Sequence, residues 1–229
     1  MTSYRRYRFP PEIISHAIWL YHRFTLSFRD VEDLLAQRGI IVSYETIRQW
    51  CRKFGAEYAR ALRRKQGRLG DTWYLDELFV TIRGDRQYLW RAVDQDGDVI
   101  DILIQPRRDQ RAAEGFFRKL LKGQGSEPRW LITDKLRSYG AAQRTIMPAV
   151  THNTERYANN RAEVSHEPTR QRERQMRGFK SPDQAQRFLS VHGVIQNLFW
   201  VGRHLLRSVN HRMLRERSFL VWNEVTCAC

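Results

Sequence analysis

Acidic side chains interrupt two apolar segments of the sequence. Asp76 and Glu77 lie within the run WYLDELFVTI, and Asp134 ends the run RWLIT. A carboxylate at the end of a buried strand is costly unless a cation meets it there, although Asp is also a favoured N-cap and could simply open a helix. Two carboxylates on neighbouring strands repel each other, and Mg²⁺ relieves that repulsion with hard oxygen ligands. The pattern predicts metal-dependent phosphoryl transfer, with the helix cap as the alternative for Asp134.

The strand that carries Asp76 is predicted to lie in the centre of a sheet. Its alternate residues are mainly apolar on both faces, which is typical of a strand that is covered on both sides. Asp76 and Glu77 point to opposite faces in this pattern. Alternation alone therefore leaves open which of the two acids is functional.

A third acid is expected further along the chain, where YANNRAEVSHEPTRQRERQMRGFK offers Glu163, Glu167 and Glu173. On a helix, His166 shares the face of Glu163, and it is the one histidine expected near the site. Pro168 predicts a kink in that helix. The basic residues of this segment, among them Arg170 and Arg174, form either a phosphate-tracking surface or a salt-bridged solvent-exposed helix face.

The elements around these acids predict an α/β domain with a mixed sheet. Three hairpin-connected strands are expected over 73–82, 87–94 and 99–105, with a turn at Asp85 and Arg86. A helix over 111–123, a strand over 129–133, a short helix over 138–146 and further helices follow. Residues 143–154 are interpreted as a connecting loop. The predicted organisation is a helix-turn-helix domain at 1–55, a basic linker at 56–70, a catalytic domain at 71–207 and a C-terminal tail at 208–229.

The N-terminal part carries the signals of two short helices joined by a tight turn. Ser27 and Asp30 predict a capping box, Gly39 ends the first helix, and Ser43 caps the second. In a helix-turn-helix the second helix enters the major groove, and Arg and Gln pair with guanine and adenine. A generic helical hairpin is the alternative. The residues expected to contact DNA here are Ser43, Tyr44, Arg48, Gln49 and Arg52.

The charge balance points to a polyanionic partner. Forty Lys and Arg against twenty-five Asp and Glu give a formal net charge of +15, which favours nucleic acid or an anionic membrane surface. No apolar stretch approaches the roughly 20 residues of a membrane span, and no signal peptide is evident. Arg63, Arg64 and Lys65 lie in a basic segment that is either an arm on phosphates or a solvated helix face. Three cysteines give no disulfide framework. Together with the charge, this predicts a reduced, cytosolic, nucleic-acid-associated protein.

Four blocks of the sequence resemble a known family: WYLDELFV, YLWRAVDQDGDVID, RWLITDKLRSYG and YANNRAEVSHEPTRQRERQMRGFKS. Together they are similar to the bacterial insertion-sequence transposases of the IS-six family, and the similarity runs from about Arg8 to Leu206. The resemblance implies an RNase H-like, integrase-type DDE core behind a helix-turn-helix. It also implies cleavage at terminal inverted repeats and transfer of the 3′-OH ends to target DNA, in a replicative, cointegrate-forming reaction. The implied cofactor is Mg²⁺, with two ions expected and Mn²⁺ as a substitute.

The resemblance also implies which residues carry the reaction. Asp76, Asp134 and Glu163 match the three acids that bind the metal and catalyse the reaction, and Lys135 and Arg137 are expected to hold phosphates. The interval between Asp134 and Glu163 is a few residues shorter than in longer members of the family.

The implied partners are double-stranded DNA, as element ends and as target, and further copies of the chain in at least a dimer. No membrane is involved, and the expected location is the bacterial cytoplasm, with the nucleoid. The main alternative is a catalytically inactive, transposase-derived, sequence-specific DNA-binding regulator, against which the intact trio of acids argues. A nuclease or resolvase on the same fold would cut DNA without joining it.

Overall fold

A computed structural model describes residues 4–66, 69–155, 157–201 and 206–226 of the chain. Cys227 and Cys229 lie outside the described residues, as do residues 67–68 of the predicted linker. The chain divides into two compact units, one of residues 68–189 and one of residues 1–67 with 190–229. No helix in the described part is long and apolar enough to cross a membrane.

The helices and strands follow one another along the chain. The N-terminal helices are α1 (Pro11–Arg23), α2 (Phe28–Ala36) and α3 (Tyr44–Gln66). The strands are β1 (Thr72–Ile82), β2 (Asp85–Val93), β3 (Val99–Gln105), β4 (Trp130–Thr133) and β5 (Thr151–Asn153). The remaining helices are α4 (Gln110–Gln124), α5 (Arg137–Ile146), α6 (Asn160–Ser165), α7 (Glu167–Gln175), α8 (Pro182–Phe199) and α9 (Ser208–Thr226).

The larger unit contains a five-stranded mixed sheet of order β3-β2-β1-β4-β5. β1, β2 and β3 pair antiparallel, whereas β4 pairs parallel to β1 and to β5. The predicted α/β mixed sheet, the antiparallel meander and the central position of β1 are confirmed. The hairpin turn lies at Arg83 and Gly84, both with positive φ, as a two-residue turn requires. The prediction of the turn at Asp85 and Arg86 was wrong, because those residues begin β2.

One face of the sheet packs against α4 and α5 and forms the core of this unit. Large apolar side chains cover it, and the largest are Trp73, Leu75, Trp90, Phe116, Phe117 and Tyr139. Asp109 caps α4 by accepting from the Ala112 amide at 2.9 Å, and the helix ends at Gly125 with a left-handed φ of 72°. A left-handed residue is the usual helix stop, which places the end two residues beyond the predicted Gly123.

The segment after β4 departs from the prediction at one place and follows it at another. The short helix predicted over 138–146 is confirmed as α5. The interpretation of 143–154 as a connecting loop was wrong at both ends of that segment, because residues 143–146 lie in α5 and residues 151–153 form β5 at the edge of the sheet. A three-residue polar strand gives no alternating pattern to read. The break that Pro168 predicts is confirmed, since α6 ends at Ser165 and α7 begins at Glu167.

The smaller unit is helical. The capping box of Ser27 and Asp30 is present, and Gly39 has a φ of 74° in the turn that follows α2. Buried side chains of α1, α2 and α3 pack together, among them Ile14, Ile18, Val31, Ile47, Trp50 and Phe54. This arrangement orients the exposed start of α3.

Two segments that were predicted to lie outside any folded domain are helical and pack within the smaller unit. Residues 56–66, predicted within a linker, continue α3 and bury Tyr58 and Leu62. Residues 208–226, predicted as a tail, form α9, where Trp222 packs edge-on against Tyr58 with ring centroids 5.5 Å apart. The domain boundaries stay a prediction, and the compact units divide the chain at other positions.

Candidate active site

The register of two parallel strands brings the carboxylates of Asp76 and Asp134 together. Leu75 of β1 lies opposite Thr133, the last residue of β4, and each of these two residues is followed directly by one of the aspartates. Because neighbouring parallel strands lie about 4.8 Å apart, the two side chains meet at this edge of the sheet. Ligand atoms of Asp76, Glu77 and Asp134 all lie within 4.8 Å of one another.

Asp134 ends its strand in a turn and does not cap the following helix. Its Oδ1 accepts from the Leu136 amide at 2.9 Å, and the N-cap of α5 is Leu136, which makes no side-chain cap bond. The Thr133 hydroxyl donates to the Asp134 carbonyl oxygen at 2.7 Å and lies 2.8 Å from His152 Nε2. The second carboxylate oxygen of Asp134, Oδ2, takes no part in this turn and lies 3.7 Å from Nη2 of Arg108.

Glu77 is the most deeply buried acid of the group. Its side chain is 3% exposed, and its Oε1 lies 2.5 Å from Nη2 of Arg108, which also approaches Asp134 Oδ2 at 3.7 Å. The pKa of Glu77 is raised to about 7, mainly by burial. The charges of Asp134 and Asp76 also act to raise the pKa, whereas Tyr139 and Arg108 act to lower it. Within the described residues, neither Glu77 Oε2 nor the Tyr139 hydroxyl meets hydrogen-bond geometry with a partner.

A buried histidine, His166, contacts the carboxylate of Asp76. His166 Nε2 lies 3.1 Å from Asp76 Oδ2, which confirms the expectation that this histidine is near the site. Burial lowers the pKa of His166, and the hydrogen bond to Asp76 opposes that effect. Arg91, the cross-strand partner of Asp76, donates to Thr169 Oγ1 at 2.9 Å. Helix α7 is thereby fastened to the sheet beside the acids.

The predicted third acid has a different environment. Glu163 is exposed on α6, and the group of three clustered acids found among the described residues contains Glu77 in its place. The helix itself is close, because α6 packs against β1 and β2 and His166 follows Glu163 by three residues. The other predicted phosphate contacts of this unit are exposed at the surface: Lys135, Arg137, Arg170 and Arg174.

The predicted DNA-contacting residues of the smaller unit are also at the surface. Ser43, Tyr44, Arg48, Gln49 and Arg52 are exposed on or beside the first turns of α3. Glu45 accepts from Arg48 at 2.7 and 2.8 Å and from Gln49 at 3.2 Å. Arg63, Arg64 and Lys65 are exposed as well, and Lys65 pairs with Glu224 of α9. Their DNA-binding role stays a prediction.

Sequence reasoning did not assign a role to Glu77, and it missed Arg108 altogether. Strand alternation placed Glu77 on the face away from Asp76, but a glutamate side chain is long enough to reach the end of the sheet. No sequence pattern distinguishes Arg108 from the other arginines, because its contacts depend on the path of the loop after β3. Tyr139 is fully buried and packs against Trp90 and Phe117.

The donor set fits a divalent cation. Three carboxylates converge, and the side chains of Asp76 and Asp134 are 18% and 39% exposed. Among the described residues, no partner meets hydrogen-bond geometry with the buried Oε2 of Glu77. Hard oxygen ligands of this kind suit Mg²⁺ and Mn²⁺. The charge of Arg108 offsets only part of the negative charge of the three acids.

The raised pKa of Glu77 predicts a pH dependence of stability. A carboxyl with a folded pKa of about 7 stabilises the fold below its unfolded pKa, and that contribution is lost as pH rises through 7. The free energy of unfolding of the wild type, minus that of Glu77→Gln, should fall by roughly 2–4 kcal/mol between pH 4.5 and 8. Urea unfolding of both proteins in EDTA measures this. A difference that stays constant with pH would contradict the assignment, because titrating groups remote from Glu77 contribute equally to both proteins and cancel.

The fold and the acids together define a class of enzyme. The sheet has the strand order β3-β2-β1-β4-β5, with Asp76 on the central strand β1 and Asp134 directly after the parallel strand β4. This is the RNase H-like architecture that the resemblance implied for DDE enzymes. The family model described as a DDE domain matches residues 70–201.

Comparison with known proteins identifies the family of the chain. It is 31% identical over 171 residues to the transposase for insertion sequence-like element IS431mec of Staphylococcus aureus (strain Mu50), covering 72% of this chain and 76% of that protein. It is 30% identical over 171 residues to the transposase for IS257 in transposon Tn4003 of Staphylococcus aureus, with the same coverage. The chain belongs to the IS-six family of DDE transposases.

Among solved structures, the chain is similar to one in the intasome of simian T-cell lymphotropic virus in complex with PP2A regulatory subunit B56 gamma. The TM-score is 0.42 at 14% identity, and the match covers 65% of this chain and 55% of that chain.

Proposed function

We propose that the protein cuts DNA at the terminal inverted repeats of its own element and transfers the freed 3′-OH ends to target DNA, in a replicative, cointegrate-forming reaction. The convergence of Asp76 and Asp134 at one edge of the sheet is the observation that carries the proposal. Membership of the transposase family supports an active enzyme over the alternative of a regulator that only binds DNA.

The proposed chemistry consists of two in-line displacements at phosphorus. In the first, the oxygen of water bonds to phosphorus, the P–O3′ bond breaks, and the leaving oxygen takes a proton to become a 3′-OH. In the second, that 3′-OH oxygen bonds to a target phosphorus and displaces a target 3′ oxygen. Mg²⁺, when bound, would activate the attacking oxygen and stabilise the leaving oxygen.

The residues of the chain would hold the reacting groups in place. Asp76 and Asp134 would bind Mg²⁺, with two ions expected and Mn²⁺ able to replace it. His166 keeps the Asp76 carboxylate in one orientation through its 3.1 Å contact. We assign the third ligand to Glu163, which lies on the same helical segment as His166. Lys135 and Arg137, exposed beside Asp134, would contact phosphates of the DNA.

The test of this proposal uses purified full-length protein and labelled DNA that carries the ends flanking its gene. Strand nicking and joining are followed with Mg²⁺, with Mn²⁺ and with EDTA. Metal-dependent nicks together with joined products would support the transposase reaction. Cutting without joining would favour a nuclease, and tight binding without cutting under any metal would overturn the catalytic proposal.

We also propose that the start of α3 recognises the element ends. Arg48 and Gln49 are exposed and held side by side by Glu45, so both are arranged before DNA binds. In the complex, Arg48 and Gln49 would break their hydrogen bonds to Glu45 and donate to base edges in the major groove. Double-stranded DNA is therefore the proposed partner. We further propose that at least two copies of the chain bind it together, and that the reaction takes place in the bacterial cytoplasm.

Replacing Arg48 by Ala should weaken binding to the element end by about tenfold, because a base contact is lost. Binding to a scrambled duplex should change little. Fluorescence anisotropy with both duplexes measures the two affinities, and Arg83→Ala, in the β1–β2 turn, serves as the exposed-arginine control. An equal loss on both duplexes would instead identify Arg48 as a phosphate contact.

A further inference from the structure

Arg108 is a cation beside the acid cluster, and it has no role in the reaction as proposed above. It lies in the loop between β3 and α4, with its Nη2 atom 2.5 Å from Glu77 and 3.7 Å from Asp134. Among the ion pairs of the described residues, no other lysine or arginine lies within 4.0 Å of these acids. Its position next to the reacting groups therefore requires an explanation.

The backbone on both sides of Arg108 is fixed. Asp109, the next residue, caps α4 through its side chain and accepts from the Ala113 amide through its carbonyl, at 3.1 Å. Gln105, at the end of β3, donates to the Ala112 carbonyl oxygen at 2.8 Å. A loop tied to both flanking elements loses little entropy when its arginine binds a substrate.

The side chain of Arg108 is anchored at one end and open at the other. Glu77 lies on the central strand and is almost fully buried, so the 2.5 Å contact has a rigid acceptor. The Arg108 side chain is nevertheless 42% exposed, and a guanidinium has five N–H donors. Donors therefore remain for a further acceptor beside Asp134, and phosphate oxygens match the planar fork of arginine well.

We propose that Arg108 is a catalytic residue that donates to a non-bridging oxygen of the reacting phosphate, and that Glu77 is the positioning residue that holds it there. The inference rests on the proposed function, because the phosphate is that of the DNA strand to be cut or joined. It gives the buried glutamate a role other than metal binding. The longer contact to Asp134 is the one that gives way when substrate and metal are bound.

The test compares Arg108→Ala with Arg107→Ala, which removes the neighbouring exposed arginine of the same loop. Cleavage by Arg108→Ala should be slower by about 100-fold, the size of effect seen when one preorganised donor is removed. Arg107→Ala should stay within about twofold of the wild type. Arg108→Lys should fall between the two, because lysine retains the charge without the fork.

Metal binding provides the readout that separates catalysis from folding. The thermal shift produced by Mg²⁺ or Mn²⁺, without DNA, should persist in Arg108→Ala, since removal of a nearby cation does not weaken binding of another. Loss of this shift together with activity would overturn the inference, because Arg108 would then only hold the carboxylates in place. Equal rates in Arg108→Ala and Arg107→Ala would overturn it as well.

Glu77→Gln tests the positioning role. Its cleavage rate should fall by about tenfold, and the double variant with Arg108→Ala should be no slower than Arg108→Ala alone, because the two side chains act through one contact. Additive losses would contradict the coupling. Failure of the proposed function is distinct from all of these results, since the wild type itself would then leave the DNA uncut.

Discussion

Asp134→Asn is expected to reduce metal-dependent DNA cleavage by about 10³-fold or more, because a neutral amide oxygen binds a hard cation much more weakly than a carboxylate does. The substitution changes little else. The amide oxygen of Asn can still accept from the Leu136 amide, as Asp134 Oδ1 does at 2.9 Å, so the turn before α5 is retained. Loss of activity would then report on the metal centre and not on folding.

Cleavage rates and the Mg²⁺-induced thermal shift measure this effect, and both should be lost in Asp134→Asn and in Asp76→Asn. Affinity for the element end should be unchanged, since the proposed recognition residues lie on α3. Asp85→Asn, an exposed aspartate in the β1–β2 hairpin, is the matched control and should resemble the wild type. An active Asp134→Asn variant with an intact metal response would contradict the assignment of the site.

The pairing of Asp76 with Asp134 could be predicted from sequence because it depends on strand order. After the meander and a helix, the next strand, β4, lies beside β1; Asp76 interrupts the apolar run of β1, and Asp134 ends that of β4. Side-chain reach could not be predicted in the same way. Alternation fixes the face on which Cβ of Glu77 lies, but the carboxylate is two further carbon atoms away and returns to the shared edge.

Contacts that depend on loops and short elements could not be predicted from the sequence either, because no local pattern determines them. Arg108 reaches Glu77 because the cap at Asp109 and the end of β3 fix the loop between them, and no local pattern encodes that path. The strand β5 has three residues, which is too short for a period of two to be detected. Helix α9 packs through Trp222 against α3, a contact between residues far apart in the sequence.

The choice between Glu163 and Glu77 as the third acid is the point where the resemblance and the geometry differ. The resemblance assigns Glu163, whereas the three acids that cluster among the described residues include Glu77. The two side chains differ in a way that makes the question testable. Glu163 is exposed, so its replacement costs no buried contact, while Glu77 is buried and paired with Arg108.

Glu163→Gln is expected to slow cleavage by about 10³-fold at saturating metal, because it removes a proposed metal ligand. Glu77→Gln is expected to cost about tenfold, because it only releases Arg108. Rates measured over a series of Mg²⁺ and Mn²⁺ concentrations separate the two effects, since loss of a ligand also raises the metal concentration needed for half-maximal rate. Glu167→Gln, another exposed glutamate four residues after Glu163, is the control and should cleave normally.

The opposite order of effects would have a definite structural meaning. If Glu77→Gln abolished cleavage and raised the metal requirement while Glu163→Gln remained active, the third ligand would be the buried glutamate of β1. Arg108 would then have to leave Glu77 when metal binds, and its 2.5 Å contact would belong to the metal-free protein only. Under the order that we expect, that contact persists through the reaction, and α6 brings Glu163 to the cation beside Asp76.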